Sequence, residues 1–354
     1  MQRFERRLKF FVLALLLLPA TYFGVGYLKC KSPLDYDIYV SGADVSGDYF
    51  TEEEDINEFK VTDALETLEA RSSSRKAIFF IETSRRGTIN PRQMCAIESA
   101  AKNNPFSDVY LLLLDPPVNS SLMNNEQLKF VVRFYKNLKI VQTTSESYFA
   151  GTALQTLGRN GKIGQSNYPV EHMSDVMRIL TILRFGGIYF DLDVMILRSL
   201  ETLAENWVSF ETEDACSSSA FGFQKGQKLA QKMAVELNRN FDGDEWGNNG
   251  PGLFTRMLKR ECEISAKSKT SEKCPDITVL PPSVFHSIEY LSWQLFFDRT
   301  ALSQVYSKVK DSLGVHLWNH FSHEGVVIIG SNQPYGYFAQ KHCPRAYWSC
   351  NQIF

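Results

Sequence analysis

Residues 174–194 read SDVMRILTILRFGGIYFDLDV, and this stretch decides how the chain is read. Val176, Ile179, Leu180 and Leu183 fall at i, i+3, i+4 and i+7, the spacing of an amphipathic helix. Ser174 suits its N-cap, with Asp175 in a first turn where the helix dipole favours negative charge. Gly186-Gly187 then ends it, because glycine enters left-handed conformations without steric cost. The aromatic and β-branched residues that follow read as a buried strand continuing to Val194, interrupted by Asp191 and Asp193. Period-2 geometry puts both aspartates on the face of Tyr189. Two unpaired carboxylates in an apolar strand are costly, and a bound cation is the simplest compensation.

Composition bounds the rest. The 354 residues can bury a substantial core. A net charge of −2, from 38 basic and 40 acidic residues, argues against a nucleic-acid partner. With 44% hydrophobic and 13% aromatic residues the chain is a folded one. Residues 8–28 are almost entirely apolar and long enough to cross a hydrocarbon core of ~30 Å. Arg3, Arg6 and Arg7 precede them, so the positive-inside rule puts residues 1–7 in the cytoplasm and everything after the anchor outside it. A cleaved signal peptide ending near Pro19-Ala20 is the competing reading. Residues 29–75 are rich in Gly, Ser, Asp and Glu and read as a stem, with a short helix through Val61, Leu65 and Leu68.

The folded domain, residues 76–354, opens with strands at 77–81 and 109–114 flanking a helix at 91–101. Further apolar runs at 130–135 and 138–141 alternate with a short helix at 147–157. This β-α-β-α order predicts an α/β fold with a mostly parallel central sheet. Thr83 and Ser84 lie at the end of the first strand, where open α/β sheets bind ligands. Seven cysteines, an odd count without zinc-site spacing, fit an oxidising compartment. A disulfide closing the Cys262–Cys274 loop is expected, at ~3 kcal/mol in the chain-entropy model. Cys343 with Cys350 is a candidate second pair. Asn119-Ser120-Ser121 is a glycosylation sequon.

The central stretch, together with IFFIETS (78–84), CAIESAAKNNP (95–105), WGNNGPGLFTRM (246–257), VLPPSVFHSI (279–288) and VHLWNHFS (315–322), resembles the α1,4-galactosyltransferase and α1,4-N-acetylglucosaminyltransferase family of Golgi glycosyltransferases. The resemblance implies a GT-A-type nucleotide-diphospho-sugar transferase fold, preceded by a single transmembrane helix, in a type II Golgi membrane protein. It implies a retaining transfer of galactose or an N-acetylhexosamine from a UDP-sugar to a glycolipid, in glycosphingolipid biosynthesis. It also implies Mn²⁺ on the donor diphosphate, with Asp193 as direct ligand and Asp191 on the ribose or a metal-bound water.

Around that motif the residues leave alternatives open. Asp175 and Arg178 either contact the donor sugar or form an ordinary i,i+3 ion pair. His316 is either a third metal or diphosphate ligand from a C-terminal loop or a structural histidine. Thr83 and Ser84 face the nucleotide or are plain loop residues. The 244–251 loop offers Trp246, Asn248 and Asn249 to the acceptor sugar, or is merely a loop and cap. No carboxylate stands out as a nucleophile. Asp242, Asp244 and Glu245 are the nearest by context, and front-face substitution with the departing phosphate as base is the favoured route. A binding homologue without turnover, a metal-dependent hydrolase and a transferase acting on glycoproteins are the other readings. Self-association is left open.

Overall fold

The computed structural model describes residues 61–63, 68, 75–117, 125–264 and 271–354. The residues 8–28 and the sequon at Asn119 lie outside these. Among the described residues no helix is long and apolar enough to cross a membrane.

The architecture is mixed α/β around an eight-stranded sheet. In chain order its strands are β1 (Val61–Asp63), β2 (Ala77–Glu82), β3 (Asp108–Leu114), β4 (Leu138–Thr143), β5 (Gly187–Phe190), β7 (Trp207–Phe210), β8 (Cys216–Phe223) and β9 (Thr278–Leu280). Across the sheet they run β1-β4-β3-β2-β5-β8-β7-β9. Every neighbouring pair is parallel except those made by β8, which runs against β5 and β7. A second, two-stranded sheet pairs β6 (Val194–Ile196) with β10 (Gly314–His316) antiparallel.

The central strands are buried along their whole length because helices cover both faces. Ile78, Phe80, Leu111 and Phe190 point to one side, toward the helix Pro91–Asn103 and the C-terminal helices. Phe79, Ile81, Leu112 and Tyr189 point to the other, toward the helices Pro169–Phe185 and Pro251–Cys262. Each alternation is the period-2 consequence of a strand buried twice over.

Several expectations need correction. The central helix starts at Pro169, with Tyr168 at its N-cap, so Ser174 is an interior residue and not the cap. Proline at the first helical position is preset for helix, and it moves the start about one and a half turns earlier. Residues 130–134 belong to the helix Glu126–Phe134 rather than to an apolar strand. The fold reaches back before residue 76: Val61–Asp63 extends the sheet edge by backbone pairing with β4, which needs no apolar run to announce it. The strand does not continue through the aspartates. It stops at Phe190, and residues 191–193 turn the chain from β5 into β6 of the smaller sheet.

The double glycine does more than end the helix. Gly186 and Gly187 have φ of 63° and 111°. A Cβ on Gly186 would lie 2.5 Å from the Lys225 backbone N, and one on Gly187 2.6 Å from the Ala77 carbonyl O. No side chain fits between this turn and the strand beside it.

Cys262 bonds Cys274 across 12 residues. Cys343 bonds Cys95, 248 residues away, and not Cys350. Cys343 sits at the junction of the helices Pro334–His342 and Pro344–Trp348, which pack on the helix Pro91–Asn103 that carries Cys95. Glu98, one turn further along that helix, accepts from the Ala346 backbone N at 2.7 Å and caps the last helix. The long-range bridge therefore closes by far the larger loop. Cys343→Ser is expected to cost ~5 kcal/mol against ~3 kcal/mol for Cys274→Ser. Urea midpoints measure the two, and a larger loss at Cys274 would overturn the ranking.

Candidate active site

The carboxyl ends of β2, β5 and β7 open on one cavity of about 540 Å³, a size suited to a small-molecule ligand. Thr83 and Ser84 follow β2, Asp191 and Asp193 follow β5, and Glu211 follows β7; all five line it. The reversed strand β8 brings Ser217 and Ser218 to the same end.

Asp193 is built into the turn by two segments. The β6–β10 pairing sets His316 opposite Val194, and the Leu317 backbone N donates to the Asp193 carbonyl at 2.9 Å. His316 Nε2 then lies 3.1 Å from Asp193 Oδ1, and the Asn319 backbone N donates to Oδ2 at 2.7 Å. Trp318, at φ 56°, makes the bend that aims this N–H inward. Its ring lies 4.0 Å, centroid to centroid, from His316. Burial works against the Asp193 charge, but His316 and the Asn319 amide outweigh it and hold the carboxyl below its usual range. Burial likewise opposes the His316 charge, and Asp193 beside it prevails and holds the imidazole up.

Asp191 has different partners. Tyr189 Oη donates to its Oδ1 at 2.6 Å, and Arg178 Nη2 lies 3.3 Å from the same oxygen. Burial raises its pKa, and the neighbouring Asp193 charge adds to that. Arg178 also reaches Asp175 Oδ1 at 3.3 Å, the Ser174 hydroxyl at 2.9 Å and the Ser218 hydroxyl at 2.7 Å. Arg178 as a whole is only 6% exposed. The i,i+3 ion pair is therefore present, as one edge of a clamp between helix, β5 and β8. Asp175, buried beside Arg178, has its pKa pushed up to about 7. A Cβ on Gly250 would lie 2.4 Å from Asp175 Oδ1, which seats the 244–251 loop directly against it.

Asp191, Asp193 and His316 offer ligand atoms that all lie within 4.8 Å of one another. Two carboxylates and an imidazole form an oxygen-rich donor set for a hard or borderline divalent cation. Among the described residues His316 Nδ1 is buried without a hydrogen-bond partner, so within them the ring is oriented by packing and by what its Nε2 meets. The residues fit a metal.

Other expected residues fall differently. Thr83 lines the cavity, but its hydroxyl donates to the Val170 carbonyl at 3.0 Å and ties β2 to the helix start. Trp246 lines the mouth, its ring 4.8 Å from that of His320. Asn248 and Asn249 lie outside the lining. Asn248 Oδ1 accepts from Arg256 at 3.0 Å, and the buried Asn249 closes its own loop through the Asp242 backbone. Glu245 is exposed beyond the lining, its carbonyl turned to His172 at 3.3 Å. The two asparagines of WGNNGP thus serve the loop and its junction with the following helix. The residues missed were Glu211, Ser217, Ser218 and Asn319. Glu211 follows the apolar run Trp207–Phe210 just as Asp191 follows Gly187–Phe190, and that repeated signal could have found it.

Two family models match the chain. The glycosyltransferase sugar-binding region containing a DXD motif matches residues 90–212, and the α1,4-glycosyltransferase conserved region matches residues 222–350. The chain is 27% identical to mouse lactosylceramide 4-alpha-galactosyltransferase over 274 residues, covering 77% of this chain and 76% of that one. It is 28% identical to human alpha-1,4-N-acetylglucosaminyltransferase over 284 residues, covering 79% and 82%. Mouse xyloside xylosyltransferase 1 is a looser structural match, with a TM-score of 0.40 and 10% identity over 68% of this chain and 97% of that one. The protein is a glycosyltransferase. Within that class it is a relative of the α1,4-galactosyl- and α1,4-N-acetylglucosaminyltransferases.

Arg178 is the residue whose loss should damage this site most. Arg178→Met leaves Asp175 and Asp191 without their shared cation and is expected to cost ~3–5 kcal/mol in unfolding free energy. Chemical denaturation measures it. A loss below ~1 kcal/mol would show the clamp to be marginal.

Proposed function

We propose that the protein transfers a hexose, galactose or an N-acetylhexosamine, from its UDP-sugar to the terminal sugar of a glycolipid, forming an α1,4 linkage with retention. The observation that carries this is the Asp191/Asp193/His316 cluster at the strand ends of the cavity. A GT-A-type domain, residues 76–354 with the β1 edge added, would stand in the Golgi lumen behind a stem and the 8–28 anchor.

Asp193 and His316 would hold the cation, with Asp191 beside it toward the ribose or a metal-bound water. A divalent ion such as Mn²⁺ supplies charge neutralisation to the donor diphosphate as UDP departs. Arg178 fixes Asp191 and Asp175 in place, so neither needs to reorganise when charge develops. Ser84 and the loop beyond β2 lie on the nucleotide side. Trp246 with His320 offers a ring face at the mouth, where an acceptor sugar stacks its apolar side. Asn248 and Asn249 act through the loop that presents Trp246 rather than by direct contact. The acceptor hydroxyl is deprotonated by the departing phosphate oxygen in a front-face substitution, which asks of the protein mainly positioning.

The full-length protein in detergent, screened with UDP-Gal, UDP-GalNAc and UDP-GlcNAc against β-galactoside and β-GalNAc glycolipids, tests the reading. One donor should be consumed with an α-linked product. EDTA should abolish the transfer and Mn²⁺ restore it. Asp193→Asn should lower turnover by ~100-fold or more, and full activity in that variant would remove the metal assignment.

A further inference from the structure

Glu82, Glu171 and Glu211 are the acidic residues of the cavity that nothing above uses, and Glu211 stands apart from the other two. It is the first residue beyond β7, as Asp191 is the first beyond β5. The sheet order β5-β8-β7 puts these two strand ends on either side of β8. There the Asp191 backbone N donates to the Ser219 carbonyl and the Glu211 backbone N to the Ala215 carbonyl. The two are thus separated by two strand spacings across the sheet and four β8 residues along it, roughly 16 Å between backbones. The gap is floored by the start of β8, where the Ser217 and Ser219 hydroxyls lie 2.8 Å apart. The cation cluster is on one side of that floor and Glu211 on the other.

The other inward carboxylates of the cavity are tied. Glu82 accepts from the Ser84 backbone N at 2.8 Å. Asp175 and Asp191 share Arg178, and Asp193 is held by His316 and Asn319. Glu171 is exposed. Glu211 alone is partly buried in the lining with no hydrogen bond or ion pair to its carboxylate among the described residues. Burial raises its pKa and His316 across the cavity pulls it back. A carboxylate kept partly desolvated without a partner is costly. Such a cost is offset if a positive charge arrives during turnover, because a group poised for charge that develops only in the transition state favours that state over the ground state.

We propose that Glu211 is a catalytic carboxylate of the transfer, facing the donor sugar's anomeric carbon from the side away from the diphosphate. This rests on the transferase reading above. The C1–O bond to the diphosphate breaks with its electron pair leaving on UDP. The acceptor oxygen bonds C1 from the face UDP vacates, and its proton passes to the departing phosphate oxygen. Glu211 forms no bond in this sequence. Its negative charge lies against the oxocarbenium character at C1 while neither oxygen is fully bonded.

The test compares wild-type protein with Glu211→Gln, which keeps the shape and removes the charge, and Glu211→Asp, which keeps the charge and withdraws it by one methylene. All are full-length in detergent. Three readouts are taken: kcat for the best UDP-sugar, the dissociation constant of UDP with MnCl₂ by calorimetry, and Tm. Glu211→Gln should lose ~100-fold or more in kcat, while UDP affinity stays within ~3-fold and Tm is unchanged or higher, since the desolvated charge is removed. Glu211→Asp should fall between it and wild type. A Gln variant within ~3-fold of wild-type kcat overturns the assignment. A loss matched by weaker UDP binding or by a lower Tm also overturns it, since Glu211 would then be a donor clamp or a structural residue. If wild-type protein consumes none of the UDP-sugars, the transferase reading itself falls, and the role of Glu211 with it.

Discussion

The site depends on one buried cation of the protein's own. Arg178 stands on the long helix, and its guanidinium meets Asp175 from that helix, Asp191 from the end of β5 and Ser218 from β8. Burial disfavours the guanidinium charge, but the surrounding acids, Asp191 foremost, outweigh it and hold the pKa above its usual value. A planar fork with five donors can serve three segments at once, which a lysine cannot. Helix, central strand and reversed strand are thereby fixed relative to each other at the point where the ligand atoms must converge. Without that clamp, Asp175 and Asp191 would repel across a desolvated gap.

The clamp also separates the roles of two aspartates that the sequence presents as a symmetric pair. Asp191 already has a cation and a phenol on its Oδ1. Asp193 has an imidazole and a backbone amide, both from the 316–319 segment. Of the two, Asp193 is the carboxylate held firmly ionised, and the one whose partner is itself a metal-ligand type. The difference arises because residues 191–193 turn between two sheets: Asp191 stays with the large one and Asp193 is delivered to the small one.

What the sequence made legible follows from the range of each interaction. The helix, the double glycine, the buried strands and the Asp-Leu-Asp triplet are local patterns, and each was readable from a window of fewer than about 20 residues. His316 was readable as a candidate because a histidine in an apolar run invites explanation, though its register opposite Val194 was not. Cys95–Cys343 and the β1–β4 pairing were hidden because they join distant segments through geometry that leaves no local periodicity. Asn248 and Asn249 misled for the opposite reason. Amides beside a tryptophan look like sugar ligands, and here they are consumed by the turn that places the tryptophan. Asp191 and Glu211 carry the same strand-end signal, and each has a second acid two residues on, but Glu211-Thr212-Glu213-Asp214 is a run of polar residues that reads as a solvated turn.

The reversed strand β8 explains why the site can hold something wider than a metal ion. In a purely parallel sheet the strand beside β5 would end in another loop at this edge. Here β8 begins there instead, with Ser217, Ser218 and Ser219 in place of bulky side chains. Small residues keep the floor low between the carboxyl ends of β5 and β7. Ser219 is in turn fixed by His286 at 3.1 Å, whose ring meets His316 edge-on at 5.4 Å. The floor and the cation cluster are therefore braced by the same pair of rings. A substrate bridging from the cluster toward β7 would lie over serines rather than displace a wall, and its reactive centre would be placed by the sheet rather than by a loop.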